Sequence, residues 1–260
     1  MTTGLRAIAR LRNALPPPAR RAVRRATDPV LAPVGSVAGV HPAVSGTAPV
    51  ALTFDDGPDP EVTPAVLDAL ATGGARATFF VLVDRAVAHP ELVRRAAAEG
   101  HEIALHGADH RRLTTLDPGE VRSGIDRARR DLASLAGPGV GIRWFRPPFG
   151  SQNLRSYAAA RRAGMLPVVW TADGEDWVDQ PAATVADRVV ERLRPGGIVL
   201  LHDGLAGDPR EPEAPDPLHD VRGEIVTEVL DRLAAGGLAP TTVGDLVDGG
   251  RVRRTAWFRP

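Results

Sequence analysis

From Ala48 onward, short apolar runs alternate with longer amphipathic ones. Strands are predicted at Val50–Phe54, Ala77–Leu82, Glu102–Leu105, Arg143–Arg146, Pro167–Trp170, Gly197–His202 and Leu238–Thr241. Between them, apolar residues recur at helical spacing near Val62–Ala71, Pro90–Ala98, Pro118–Ala136, Leu154–Ala163, Ala182–Leu193 and Asp220–Ala235. Alternating strands and helices, with strands too apolar to face water, predict a parallel α/β sheet or barrel. Seven strands in about 200 residues suit a barrel.

The chain ends read differently. Before the first acid, Asp28, the sequence carries seven Arg, and Leu5, Ile8, Leu11 and Leu15 keep helical spacing until Pro16–Pro18 ends it. This predicts a solvated basic tail, with contact to a membrane surface as the alternative. No apolar core follows the charges, so it does not read as a secretion signal. Pro29–Phe54 has no Asp, Glu or Arg, but Pro29, Pro33, Gly35, Gly39, Pro42, Gly46 and Pro49 interrupt it, which predicts an extended linker and not a membrane span. The expected division is tail and linker over 1–47, the α/β domain over 48–247 and a short basic tail over 248–260. The expected location is cytoplasmic or membrane-associated, not cleaved and secreted.

Composition then removes whole classes of chemistry. All 32 basic side chains are Arg, so no Lys is present to act as a nucleophile or Schiff base. There is no Cys, which excludes thiol catalysis, thiolate metal sites and disulfides. Net formal charge is zero, so the whole molecule has no electrostatic bias toward nucleic acid. Any nitrogen-ligated metal must draw on His41, His89, His101, His106, His110, His202 and His219.

The informative feature is where the polar groups fall. Val-Ala-Leu-Thr-Phe ends in Asp55-Asp56-Gly57-Pro58, and Glu-Ile-Ala-Leu ends in His106-Gly107-Ala108-Asp109-His110. Trp144-Phe145 leads into Arg146-Pro147-Pro148-Phe149-Gly150, Trp170-Thr171-Ala172 into Asp173-Gly174-Glu175-Asp176-Trp177, and Leu200-Leu201 into His202-Asp203-Gly204. In parallel barrels the C-terminal strand ends form the active-site face. His106 and His110, four residues apart, can aim two imidazoles at one point, and one carboxylate from Asp55 or Asp56 completes a common catalytic metal set. A His-Glu-x-x-His helix would carry its own base, but Gly107 occupies that position. The second of the paired aspartates can take a proton from the attacking water. Arg146 and the cation counter the repulsion between the two carboxylates. His202 is either a fourth ligand or a general acid, and a carboxylate such as Asp176 would favour its imidazolium form.

Together these clusters resemble the polysaccharide deacetylase family, also called the NodB-homology domain or carbohydrate esterase family 4. Thr-Phe-Asp-Asp-Gly-Pro is matched by Thr53–Pro58 without change, and His-[Ser/Thr]-x-x-His nearly by His106–His110. Arg143 with Phe145-Arg146-Pro147-Pro148-Phe149-Gly150 matches the third motif, one residue shorter between Arg143 and Phe145. Asp173–Trp177 matches Asp-x-x-Asp-Trp, and Leu200–His202 matches Leu-x-His, all in the family's order. Thr242–Leu246 is similar to the family's domain end.

The resemblance implies a distorted (β/α)7 barrel and a hydrolase that removes N- or O-acetyl groups from a sugar of an oligo- or polysaccharide. It implies Asp55 as base, Asp56, His106 and His110 as ligands of a divalent metal (Zn2+, with Co2+ or Mn2+ as alternatives), and Arg146 as the group orienting Asp55. The Phe149 N–H would bind the oxyanion, His202 would act as acid tuned by Asp176, and Trp177 and Leu200 would line the acetyl pocket. Gly107 stands where the family has Ser or Thr, which predicts weaker metal binding unless Asp109 compensates. Phe149 stands where Tyr is frequent, with little effect because its role belongs to the backbone. The alternatives are a hydrolase of a small amide or small acetylated glycoside on the same fold, and an inactive carbohydrate-binding module. A two-His-one-carboxylate iron oxygenase fits poorly, because its usual all-β setting conflicts with this alternation.

Overall fold

The structure is a computed structural model that describes residues 35–42, 47–211 and 215–259. The basic N-terminal segment, expected to be a solvated or membrane-touching tail, lies outside the described residues. Among the described residues, no helix is long and apolar enough to cross a membrane.

The strands are β1 (Ser36–Pro42), β2 (Ala48–Asp55), β3 (Thr78–Leu82), β4 (Glu102–Gly107), β5 (Trp144–Phe145), β6 (Leu166–Pro167), β7 (Ala172–Asp173), β8 (Ile198–His202), β9 (Leu238–Thr241) and β10 (Gly250–Thr255). The helices are α1 (Val62–Thr72), α2 (Val83–Ala88), α3 (Pro90–Ala98), α4 (Pro118–Ala136), α5 (Leu154–Arg162), α6 (Ala182–Arg192), α7 (Arg222–Ala235) and α8 (Val243–Asp248). The parallel sheet runs in the order β6-β5-β4-β3-β2-β8-β7, with β9 also paired to β2. This is the curled parallel sheet of a distorted, incompletely closed barrel.

Alternation along each strand sorts side chains to two faces. Val50, Leu52 and Phe54 of β2, Phe79 and Val81 of β3, Ile103 and Leu105 of β4, and Val199 and Leu201 of β8 join one core with the helices. The intervening Ala51, Phe80, Ala104 and Ile198 belong to a second cluster with Trp144, on the concave side. Asp55, His106, Arg146, Leu200 and His202 continue that second register, so the period that buries the strands also delivers the polar groups to one surface. On the outer face, α4 presents Val121, Ile125, Ala128, Leu132 and Ala136 to the core, and Asp117 caps its start by accepting from Gly119 N at 2.7 Å.

Phe54 and Phe79 stack with ring centroids 5.1 Å apart and are almost fully buried. Phe79→Ala leaves a cavity between sheet and helices and is expected to lower stability by about 3–5 kcal/mol. Urea denaturation checks this, and a loss near zero would mean that the sheet collapses to fill the space.

The linker and tail readings need correction at both ends. Ser36–Pro42 and Gly250–Thr255 pair with each other as an antiparallel ribbon, β1 with β10. Val37 and Val40 are buried, and Val169 N donates to Val37 O at 2.8 Å, so the ribbon sits beside β6, one end of the sheet order. The Gly and Pro breakers in the sequence hide a strand whose lack of charge makes it buryable. Beyond β10, Trp257 is 5% exposed and donates from Nε1 to Gly150 O at 2.9 Å. Gln152 ties the same segment by backbone exchange with Arg259 and by donating to Trp257 O at 2.7 Å. The C-terminal residues therefore brace the Pro147–Gly150 loop.

Candidate active site

Asp55 and Asp56 end β2, His106 lies near the end of β4 with His110 in the turn that follows, Arg146 follows β5, and His202 ends β8. Asp56 has φ 75° and Phe149 φ 56°, both in the left-handed region that side chains other than Gly adopt at a cost. At Asp56 the bend turns the chain so that two successive carboxylates serve one cleft. A Cβ on Gly57 would lie 2.0 Å from Asp203 Oδ2, so only glycine fits there. Asp203 accepts from Gly57 N at 3.2 Å and Thr63 Oγ1 at 2.8 Å, and burial pushes its carboxyl up to about 7.

Asp56, His106 and His110 offer ligand atoms within 4.8 Å of one another, all three buried. Asp56 Oδ1 lies 3.2 Å from His106 Nε2 and 3.3 Å from His110 Nε2, yet it has no hydrogen-bond partner. The Arg146 carbonyl sits 2.9 Å from His106 Nδ1. A carbonyl only accepts, so Nδ1 carries the proton and Nε2 turns a lone pair toward the Asp56 oxygen. Buried lone pairs facing each other, with the outer nitrogen fixed by the backbone, fit a cation between them. Asp56 Oδ2 accepts from Ala206 N at 3.0 Å. Burial raises the Asp56 pKa, but His110 and His106 outweigh it and hold the carboxyl well below the usual carboxylate range. Burial pushes His110 down to about 4, which keeps its imidazole neutral as a ligand must be.

Two ion pairs flank this centre. Arg146, fully buried, donates to Asp55 Oδ1 at 2.6 Å and to Thr53 Oγ1 at 2.9 Å, and Thr53 in turn donates to Val199 O. Asp55 Oδ2 lies 3.9 Å from His106 Nε2, on the metal side. Opposite, His202 Nδ1 donates to Asp176 Oδ1 at 2.9 Å, and His202 N to Asp176 Oδ2 at 2.8 Å. Burial lowers the His202 pKa, but the Asp176 carboxylate overrides it and lifts the imidazole to about 9. A cleft of about 370 Å3 joins these groups, with Leu200, Trp170 and the 41%-exposed Trp177 on its walls.

A family model described as polysaccharide deacetylase matches residues 44–168. A chitooligosaccharide deacetylase of Bradyrhizobium sp. (strain ANU 289) is 42% identical over 161 residues, which is 62% of this chain and 73% of that protein. The chain belongs to the polysaccharide deacetylase family. Among solved structures, the Bc1960 peptidoglycan N-acetylglucosamine deacetylase superposes with a TM-score of 0.72 at 28% identity, covering 90% of this chain and 100% of that one. The family 4 carbohydrate esterase of Streptomyces lividans, solved with acetate, gives 0.67 at 28% identity over 82% of this chain and 100% of that one. The chain is thus a carbohydrate deacetylase, a hydrolase of the metal-dependent kind, and its Asp-His-His set is a potential site for the metal.

The deacetylase cleft gathers all ten residues singled out from the sequence, with Asp176 and Arg146 just beneath its surface. Sequence reasoning does not reach Arg222. Its guanidinium is buried at the start of α7 and donates to Asp176 Oδ2 at 2.9 Å, Asp176 O at 3.3 Å and both oxygens of Asp216. No local pattern marks it, because Arg222 is one of two Arg in the helix expected over Asp220–Ala235, and its partner Asp216 lies in the Pro- and acid-rich stretch before that helix.

Gly107 also behaves differently from the expectation of a missing support. A Cβ at this position would meet the Asp109 carbonyl oxygen at 2.7 Å and Pro148 Cγ at 3.3 Å. The Asp109 side chain braces the same turn, its Oδ1 accepting from Arg111 N at 3.1 Å and its Oδ2 from Arg111 Nε at 2.8 Å. Gly107→Ser, which restores the family's residue, is therefore expected to weaken Zn2+ uptake in a calorimetric titration by displacing the His106–His110 turn. Tighter uptake would show that the turn adapts.

Proposed function

We propose that this deacetylase hydrolyses the acetamide of N-acetylglucosamine units in an oligo- or polysaccharide, with Zn2+ held by Asp56, His106 and His110. The observation that carries the reading is the meeting, in one cleft, of a three-ligand set, a carboxylate locked by Arg146 and an imidazole charged by Asp176. When bound, the divalent ion would polarise the acetyl carbonyl and lower the pKa of water toward about 7. Asp55, oriented by Arg146, accepts a proton from the water that attacks the carbonyl carbon. The Phe149 N–H donates to the oxygen that becomes negative, an effect worth about 3–4 kcal/mol for a good donor. His202 gives its Nε2 proton to the sugar nitrogen as the C–N bond breaks, releasing acetate and an amine. Leu200 and Trp177 wall the acetyl methyl. The exposed Trp177 face and open cleft favour an extended sugar over a small cyclic amide.

The test is acetate release from acetylated glucosamine oligomers, acetylated xylan and hydantoin-type amides, after chelation and with Zn2+, Co2+ or Mn2+ restored. Metal-dependent release from the glucosamine oligomers is expected. Release only from the amides, or none that depends on metal, would overturn the reading.

A further inference from the structure

Arg112 stands two residues after His110 and lines the same cleft as Asp55, Asp56 and His202. Its guanidinium carbon lies 4.0 Å from the centroid of the Phe149 ring. The His110 ring also packs on Phe149, with centroids 4.1 Å apart and the planes tilted by 37°. Phe149 therefore touches both the Arg112 guanidinium and the imidazole of a metal-ligand candidate, which places that guanidinium beside the centre. Stacking on an aromatic face holds a guanidinium in place while leaving its N–H edge available.

Among the described residues no carboxylate or carbonyl pairs with the Arg112 guanidinium. The other cationic groups of the site are matched. Arg146 pairs with Asp55, Arg222 with Asp176 and Asp216, and His202 with Asp176. The adjacent Arg111 turns away to Asp109 and Glu120. Arg85, behind the cleft, donates to the carbonyls of Asp56 and Leu205. A lone cation near a centre that takes a divalent ion raises the local potential and disfavours that ion. The cost is offset only if the incoming molecule brings negative charge.

We infer that Arg112, seated on Phe149, is an anion subsite that takes an acidic substituent, a carboxylate by the fit of its planar fork, on the acetylated sugar or its direct neighbour. The inference rests on the proposed deacetylase reading for its location, and it names the substrate class more narrowly: an acetylated glycan that is itself anionic. A planar guanidinium binds a carboxylate through two parallel N–H···O bonds, which a lysine cannot do.

The experiment compares three oligomers of the same length and linkage on the metal-loaded enzyme. One is neutral N-acetylglucosamine, one carries a lactyl carboxylate on alternate residues, and one carries a phosphate at the same oxygen. Wild type is expected to prefer the anionic pair. Arg112→Gln is expected to reduce the ratio of kcat/KM for the carboxylate oligomer to that for the neutral one by about tenfold, mainly through KM. Arg112→Lys should recover part of it, and added salt should shrink the wild-type preference. A larger effect on the phosphate arm supports the subsite with phosphate as the natural substituent. Equal losses on neutral and anionic oligomers, or an unchanged ratio, overturn it. Calorimetric binding of the deacetylated carboxylate oligomer to wild type and Arg112→Gln reads the subsite without turnover. If binding weakens in the variant while no oligomer is hydrolysed, the subsite stands and the deacetylase reading falls. Equal binding with normal turnover of the neutral oligomer has the opposite meaning.

Discussion

Asp55→Asn is expected to lower kcat for acetate release by about 10²–10⁴-fold while metal uptake persists. The substitution keeps the side chain's size and removes its capacity to take a proton. The ligand atoms of Asp56, His106 and His110 are untouched, so a calorimetric Zn2+ titration should still show one site. Asp56→Asn should give the reverse, with uptake weakened first and activity following it. The pair of variants thus divides two adjacent carboxylates that no spacing argument can separate. One side effect is expected. Arg146 is fully buried and Asp55 is its carboxylate partner at 2.6 Å, so Asn leaves an uncompensated cation, which in buried pairs costs about 3–5 kcal/mol. Activity must therefore be measured where circular dichroism shows the variant folded. Near-wild-type acetate release from metal-loaded Asp55→Asn would rule Asp55 out as the base.

That division shows how far the sequence reaches. The polar clusters are legible because each follows an apolar run, and the strand alternation that buries Phe54 also aims Asp55 into the concave face. The strand expected at Glu102–Leu105, which runs on to Gly107, and the helix Pro118–Ala136 are likewise legible from their apolar periods. Three kinds of feature are not. β1 is hidden because its burial depends on a partner, β10, more than 200 residues away. The short helices α2 and α8 hold only 6 residues each, too few to show a helical period. Arg222 and Arg112 are hidden for a third reason. With 32 Arg in the chain, residue type carries no signal, and only the presence or absence of a carboxylate beside each guanidinium tells them apart. Gly107 reads in sequence as a lost hydroxyl, while in three dimensions it is a place where the Asp109 carbonyl leaves no room for a Cβ.

The second large effect concerns the acid. Losing His202 to Ala should cost about 10²–10⁴-fold in kcat on an acetamide, where the leaving nitrogen needs a proton. The deficit should shrink on an activated aryl acetate, whose leaving group departs as a stable anion. A deficit of the same size on both would mean that His202 does not act as the acid. Its protonation also sets the pH range. The imidazole is lifted to about 9 because Asp176 overrides the effect of burial. The acid form is thus present at neutral pH and is lost as pH rises, so kcat/KM should fall through an alkaline limb near 9. Folding follows the same sign. A histidine held above its unfolded value of about 6.5 adds stability that is complete below that pH and disappears as pH rises through the folded value. Asp176→Asn removes the largest attraction and leaves burial opposed only by Asp56 and Asp55, so the imidazole should drop and the alkaline limb should move down with it. Arg222 retains Asp216 in this variant, so its charge remains partly paired. An alkaline limb unmoved in Asp176→Asn would assign that limb to another group and separate the Asp176–His202 pair from the chemistry.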